Sequence, residues 1–207
     1  MRLRHIKGSE EVVTSSNIVI KKPENNKGNW ESVFKNNNKI YLEIGMGKGS
    51  FLIEHARRNP NINYIGLEKY PSVLLGAIKT IEEEGISNIK IICADAIHID
   101  EIFYKEISKL YLNFSDPWPK AKHEKRRLTS SNFLNKYNSI FKGFKVIEQK
   151  TDNDDLFAYS ISSFKRNHYF ILKKNTNYFD EVKTEYETKF MSKGKNINYV
   201  KVVKFWV

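Results

Sequence analysis

Short apolar runs alternate with helical stripes along most of the chain. Lys39 to Gly45 reads as a buried strand that stops at glycine, and the next stretch puts Phe51, Leu52 and Ala56 on one helical face. Asn63 to Glu68 is a second strand. Pro71 suits a first helical turn, Val73, Leu74, Ala77, Ile78 and Ile81 follow at helical spacing, and Gly85 sits where a C-terminal cap belongs. Ile89 to Ala94, Lys109 to Phe114 and Phe144 to Lys150 read as three more strands. Leu156, Phe157, Ser160, Ile161 and Phe164 mark another helix, and β-like runs at His168 to Leu172 and Ile197 to Val207 close the chain. Strands alternating with helices predict an α/β domain with a largely parallel sheet, whose ligands sit beyond the carboxyl ends of the strands. Residues 1–38 are polar and read as a basic N-terminal arm with at most one short helix, around Trp30 to Phe34. Residues 39–207 form the domain proper. Asn113 to Arg127 and Lys173 to Thr188 lack strong periodicity, and long loops of that kind often carry function.

Composition narrows the partners. The chain has 207 residues, 35 Lys and Arg against 24 Asp and Glu, and a formal charge of +11. A partner rich in negative charge, nucleic acid above all, would explain that excess, although a lysine-rich drift in composition explains it equally well. No apolar run is long enough for a membrane span, and the start does not read as a signal peptide. Cys93 is the single cysteine, so no internal disulfide forms, and a cytoplasmic location is expected.

The first strand ends in Glu43-Ile44-Gly45-Met46-Gly47-Lys48-Gly49. Three glycines at alternate positions let the backbone turn tightly and approach a ligand without a Cβ in the way. The spacing is neither that of the dinucleotide fingerprint nor that of a phosphate loop. A strand-end Glu before Gly-x-Gly-x-Gly resembles motif I of S-adenosylmethionine methyltransferases, and a carboxylate suits a cofactor with an ammonium and a sulfonium but no phosphate. Glu68 ends the second strand at the distance expected of a ribose partner. Asp95 ends the third, where a side chain could take an adenine amino group. Each acid alone could equally be a solvated strand end or a helix cap; three at successive strand ends are harder to dismiss.

The fourth strand runs into Asn113-Phe114-Ser115-Asp116-Pro117-Trp118-Pro119-Lys120, and then Ala121-Lys122-His123-Glu124-Lys125-Arg126-Arg127-Leu128. Pro117 to Arg127 holds five Lys or Arg and one Glu, a net of +4. Two prolines stiffen this loop, Trp118 offers a stacking surface and the cations offer phosphate contacts. A solvated charge run is the plain alternative.

These segments together resemble the hallmark of the bacterial tRNA (guanine-N7-)-methyltransferase family. The likeness extends to Met1-Arg2-Leu3-Arg4-His5-Ile6-Lys7-Gly8, to Thr151-Asp152-Asn153 and to Thr184-Glu185-Tyr186-Glu187-Thr188-Lys189-Phe190, so it spans nearly the whole chain. It implies a Rossmann-like class I S-adenosylmethionine-dependent methyltransferase, with a mostly parallel seven-stranded sheet and helices on both faces. It implies methylation of N7 of guanosine 46 in the tRNA variable loop, with tRNA as partner, no metal, no membrane association, and either a monomer or a homodimer. Carried over by position, Glu43, Gly45, Gly47, Gly49, Glu68, Asp95 and Asp116 would hold the cofactor, with Asp116 also catalytic. Lys120, Asp152, Thr184, Glu185, Tyr186 and Glu187 would bind substrate. Lys122, His123, Glu124, Lys125, Arg126 and Arg127 would contact RNA. Lys122 stands where many relatives have Arg, which keeps the charge but not the bidentate fork.

The chemistry agrees with what is missing. Guanine N7 is an exposed lone pair that needs no deprotonation, and the sequence shows no Ser/His/Asp set and no Cys/His metal spacing. Three rival readings are weaker. Asp116-Pro117-Trp118-Pro119 faintly resembles the Asp-Pro-Pro-aromatic loop of methyltransferases acting on exocyclic amines, but Trp118 interrupts the proline pair. A non-catalytic RNA-binding module would not need the intact glycine loop and three acids. A nicotinamide oxidoreductase would need a different glycine spacing.

Overall fold

Alternation along the strands sorts the apolar residues onto two faces of one sheet. In the computed structural model the described residues are 6–179, 181, 182, 184, 187 and 195–205. The strands are β1 (Lys39–Ile44), β2 (Ile62–Glu68), β3 (Ile89–Cys93), β4 (Ile107–Asn113), β5 (Lys145–Thr151), β6 (Phe170–Asn175) and β7 (Asn198–Lys204). Their order is β3-β2-β1-β4-β5-β7-β6. The first five pair in parallel; β7 lies antiparallel between β5 and β6, so the sheet is mixed and not wholly parallel.

The helices are α1 (Ser9–Ser15), α2 (Trp30–Phe34), α3 (Ser50–Arg58), α4 (Pro71–Glu83), α5 (Ile99–Ile102), α6 (Ser131–Ile140) and α7 (Asp154–Arg166). On one face Ile40, Leu42, Ile65, Ile92 and Leu110 pack with Ile99 and Ile102 of α5, Phe133 and Tyr137 of α6 and Phe157 and Phe164 of α7. On the other, Tyr64, Ile89 and Ile91 pack with Val13 of α1, Leu52 and Ile53 of α3 and Leu74 and Ile78 of α4. Strand neighbours such as Ile65 and Tyr64 therefore serve opposite layers, as a two-residue period requires.

Local signals set the helix ends. Pro71 occupies the first turn of α4, and Gly85 closes the helix with φ +63° while the Ile86 N–H donates to the Ile81 carbonyl. Asn153 caps α7, its Oδ1 accepting from the Leu156 N–H at 2.7 Å, and Asp154 and Asp155 fill the first turn.

The N-terminal stretch holds more structure than its polar composition predicted. Besides α2 it contains α1 and a 3-10 turn at Pro23–Asn26. The Ser16 hydroxyl donates to Glu82 of α4 at 2.6 Å, and Val19 bridges Ile91 of β3. Trp30 is fully buried, its ring tilted against Phe103 at 5.1 Å, and its indole N–H donates to the Ile102 carbonyl at 3.1 Å. A tryptophan so placed contributes about 3–5 kcal/mol by the cost of truncating it to alanine. Residues 1–5, including Arg2 and Arg4, lie outside the described residues.

Candidate functional site

The strand order reverses direction between β1 and β4, and in such sheets the ligand crevice lies between the loops leaving those carboxyl ends. The loop after β1 forms one wall. Gly45, Gly47 and Gly49 have φ of +76°, +57° and +79°, the left-handed region that only glycine enters without strain. A Cβ on Gly49 would also stand 2.8 Å from Met46 Cε and 3.0 Å from Ala77 Cβ. The Gly45 N–H donates to the Leu67 carbonyl at 2.7 Å, which ties this loop to the end of β2.

The three predicted acids stand together on this wall in different states. Glu43 is buried. Its Oε1 accepts from the Asn113 side chain at 2.8 Å, across from β1 to β4, while Oε2 is buried with no hydrogen-bond partner. Burial pushes its carboxyl up to about 8, with nearby Glu68 adding repulsion and Asn113 and Lys150 opposing both. Glu68 is also buried but well supplied with donors: Oε1 accepts from the Lys69 and Tyr70 N–H groups and Oε2 from Gly47 N–H at 3.2 Å. Asp95 is partly exposed. It caps the 3-10 turn Ala96–His98 through Ile97 N–H and takes the Lys69 ammonium at 2.7 Å, and the Lys69 bond lowers its carboxyl from the ordinary value. The sequence did not single out two apolar side chains that rim these acids, Tyr70 at 48% and Ile97 at 38% exposed. Their signal was a large apolar residue just past each strand-end acid.

The loop after β4 forms the other wall. Asp116 is exposed at its crest. Phe114 and Trp118, on either side, have φ of +51° and +43°. Such backbone costs about 1–3 kcal/mol at a non-glycine residue and persists only where neighbours impose it. The segment then turns through a 3-10 helix, Ala121–Arg126. Lys120, Lys122, Lys125 and Arg126 are exposed, and His123 and Glu124 are half-buried. The Arg126 guanidinium lies 4.9 Å over the Trp118 ring, and His123 meets that ring edge-on at 5.6 Å. Arg126 is a distant like-charge neighbour of Lys69, the weakest influence on an ammonium that Asp95 holds. Arg127 behaves differently: it is half-buried and donates to the Pro117 and Trp118 carbonyls.

Of the predicted substrate residues, Asp152, Thr184 and Glu187 lie near the end of β5, whereas Lys120 stands on the loop after β4. Asp152 is half-buried and accepts from Lys195 at 3.3 Å. A cavity of about 340 Å³ lined by Asp152, Asp154, Thr176, Lys195, Asn196 and Asn198 opens beside it. Thr184 and Glu187 bind each other reciprocally, Glu187 N–H to the threonine Oγ1 at 2.9 Å and Thr184 N–H to the Glu187 carboxylate at 3.4 Å. Glu187 points inward, fully buried, and accepts from Lys150 Nζ at 3.2 Å. Lys150, on β5, was not expected from the sequence. Glu185 and Tyr186 lie outside the described residues. A larger groove of about 530 Å³ near Lys39, Ser108 and Lys142 sits at the other end of the strands and touches none of these groups.

Among the described residues no cluster of His, Cys, Asp and Glu has the makings of a metal site, and no helix is long and apolar enough to cross a membrane. The family model described as "Putative methyltransferase" matches residues 37–200. The chain is 46% identical over 205 residues to a tRNA (guanine-N(7)-)-methyltransferase of Lachnoclostridium phytofermentans, covering 96% of each chain. It is 41% identical over 206 residues to a protein of the same name from Bacillus subtilis, covering 95% of this chain and 96% of the relative. Among solved structures, a 16S rRNA methyltransferase, KamB, superposes with a TM-score of 0.67 at 12% identity, covering 86% of this chain and 94% of that one. An S-adenosylmethionine-dependent methyltransferase from Aquifex aeolicus gives 0.59 at 10% identity, with 94% and 97% covered. At such identity the likeness establishes the Rossmann-like methyltransferase fold.

Proposed function

The chain belongs to the tRNA (guanine-N(7)-)-methyltransferase family, and from that premise we propose that it transfers a methyl group from S-adenosyl-L-methionine to N7 of guanosine 46 in the variable loop of tRNA. The observation that carries this reading is the pairing of an acidic glycine loop and a basic loop on either side of the β1–β4 switch point.

The acid wall fits the donor. Glu43 has a buried oxygen with no partner and a carboxyl held neutral by burial, so a cation brought beside it restores its charge. Gly45 and Gly47 leave open space for close backbone approach, Gly49 lets the loop pack against Met46 and Ala77, Glu68 and Asp95 stand at the next two strand ends, and Asp116 is exposed on the loop after β4. When bound, S-adenosylmethionine supplies an electrophilic methyl sulfonium. The basic wall fits the acceptor: Lys122, Lys125 and Arg126 are exposed for phosphates, His123 and Glu124 sit among them, and Lys120 and Asp152 are the polar groups assigned to the nucleoside.

Guanine N7 already carries its lone pair, so these residues have no proton to remove. Methylation leaves positive charge on the imidazole ring of the base, and Asp116 is the exposed carboxylate placed to stabilise it. Holding N7 in line accounts for roughly 7–11 kcal/mol of the barrier as effective molarity. On this reading the enzyme works in the cytoplasm, where it meets its tRNA. Incubation with unmodified tRNA and labelled donor, followed by digestion to nucleosides, yields labelled 7-methylguanosine; label in N6-methyladenosine would replace this reading with the exocyclic-amine rival.

A further inference from the structure

Two adjacent arginines end the basic segment, and they face opposite ways. Arg126 is exposed over the Trp118 ring. Arg127 turns back into its own loop. Its Nε donates to the Pro117 carbonyl at 3.1 Å and its Nη2 to the Trp118 carbonyl at 3.0 Å. Its guanidinium lies 4.2 Å over the ring of Tyr159 on α7, and the Tyr159 hydroxyl in turn donates to Glu124 of the same loop. These contacts close a circuit from Trp118 through Arg127 and Tyr159 to Glu124. The circuit encloses Trp118, whose left-handed backbone has no glycine to relieve it. Asp116 stands two residues away.

We propose that Arg127 is a positioning residue that braces the Asp116 loop from behind, and that it does not contact tRNA phosphate. The planar fork matters here. Two successive carbonyls and an aromatic face are satisfied at once by a guanidinium, whereas an ammonium is a point donor that cannot span them. The role in turnover rests on the methyl transfer proposed above; the bracing itself does not.

The test compares Arg127→Ala, Arg127→Lys and Arg126→Ala. Measured for each are kcat, KM for tRNA, the salt slope of tRNA affinity, and amide hydrogen exchange across residues 114–128. Arg127→Ala lowers kcat about 10²-fold, as a misplacement of about 1 Å does, with KM and the salt slope kept and exchange in 114–128 accelerated. Arg127→Lys stays close to Arg127→Ala in kcat despite its retained charge. Arg126→Ala does the reverse: the salt slope flattens by about 0.7–0.9, the worth of one phosphate contact, and exchange is unchanged. Tyr159→Leu, which removes the ring beneath the guanidinium, shifts exchange and kcat in the direction of Arg127→Ala and judges the brace if that variant does not fold. A flattened salt slope with normal kcat in Arg127→Ala, full activity in Arg127→Lys, or unaltered exchange in 114–128 would overturn the proposal. If the wild-type protein methylates no tRNA, the functional reading fails, and hydrogen exchange alone still decides the brace.

Discussion

Gly45, Gly47 and Gly49 shape the loop after β1 through their own left-handed backbone, and a few short bonds to the end of β2 hold it. The loop after β4 contains no glycine. Its turns at Phe114 and Trp118 are imposed from outside, by the Lys150 carbonyl receiving the Phe114 N–H and by Arg127 reaching back across ten residues. One wall of the crevice is built by backbone and lined with acids. The other is built by side chains and lined with cations. On the proposed roles the first loop holds most of the donor and the second holds the tRNA, with Asp116 serving the donor from the second, so substitutions can disturb the two largely one at a time.

The largest separation is expected at Asp116. Asp116→Ala lowers kcat about 10²–10³-fold, the usual worth of one preorganised electrostatic group, while tRNA affinity holds; a variant that transfers methyl groups at the normal rate removes Asp116 from the chemistry. Gly49→Ala acts on the opposite wall. At φ +79° and 2.8 Å from Met46 Cε, the added methyl costs about 1–3 kcal/mol. The melting temperature and donor affinity both fall, and the salt slope of tRNA binding stays put. An alanine variant with unchanged donor affinity would show that the loop does not hold the cofactor.

The third prediction uses pH. The Glu43 carboxyl keeps its proton to about 8 in the folded protein, against 4.5 for the ordinary group. Between those values the folded state binds more protons than the unfolded one, so this group's contribution to stability falls as pH rises. The donor cation favours the ionised form. Donor affinity therefore climbs with pH up to about 8, by at most about tenfold per unit, and levels off above it. Calorimetric titration reads this, and Glu43→Gln flattens it; a pH-dependent Glu43→Gln would assign the effect elsewhere. The smallest effect is at Arg126, where the alanine variant loses about one phosphate contact in the salt slope and leaves donor affinity unchanged. Equal loss of donor and tRNA binding there would merge the two walls into one unit.

The same contrast explains what was legible in the sequence. Glu43, Glu68, Asp95 and the three glycines were readable because the signal is local: a strand, its end and the turn after it. The α4 stripe with Pro71 and Gly85 was equally plain. Helix α6 carried Phe133, Leu134, Tyr137 and Ile140 at helical spacing with Ser130 as cap, a pattern present but not picked out beside the charged loop. Helix α1 had no stripe to find, since Val12 is exposed and Val13 buried, and its stability comes from α4. The inward turn of Arg127, the Lys150–Glu187 pair and the Asn113–Glu43 bond join residues nine or more positions apart. Charge and spacing cannot reveal such pairs, because register and loop path decide them.

The central claim is that the crevice between these walls delivers a methyl group to one base. It is tested most directly by offering labelled S-adenosylmethionine with two unmodified tRNAs that differ only in the variable-loop base, guanosine or adenosine at position 46, and mapping the label. Label is expected at N7 of guanosine 46, with none in the adenosine transcript. Equal labelling of both, or label at another position, would contradict it.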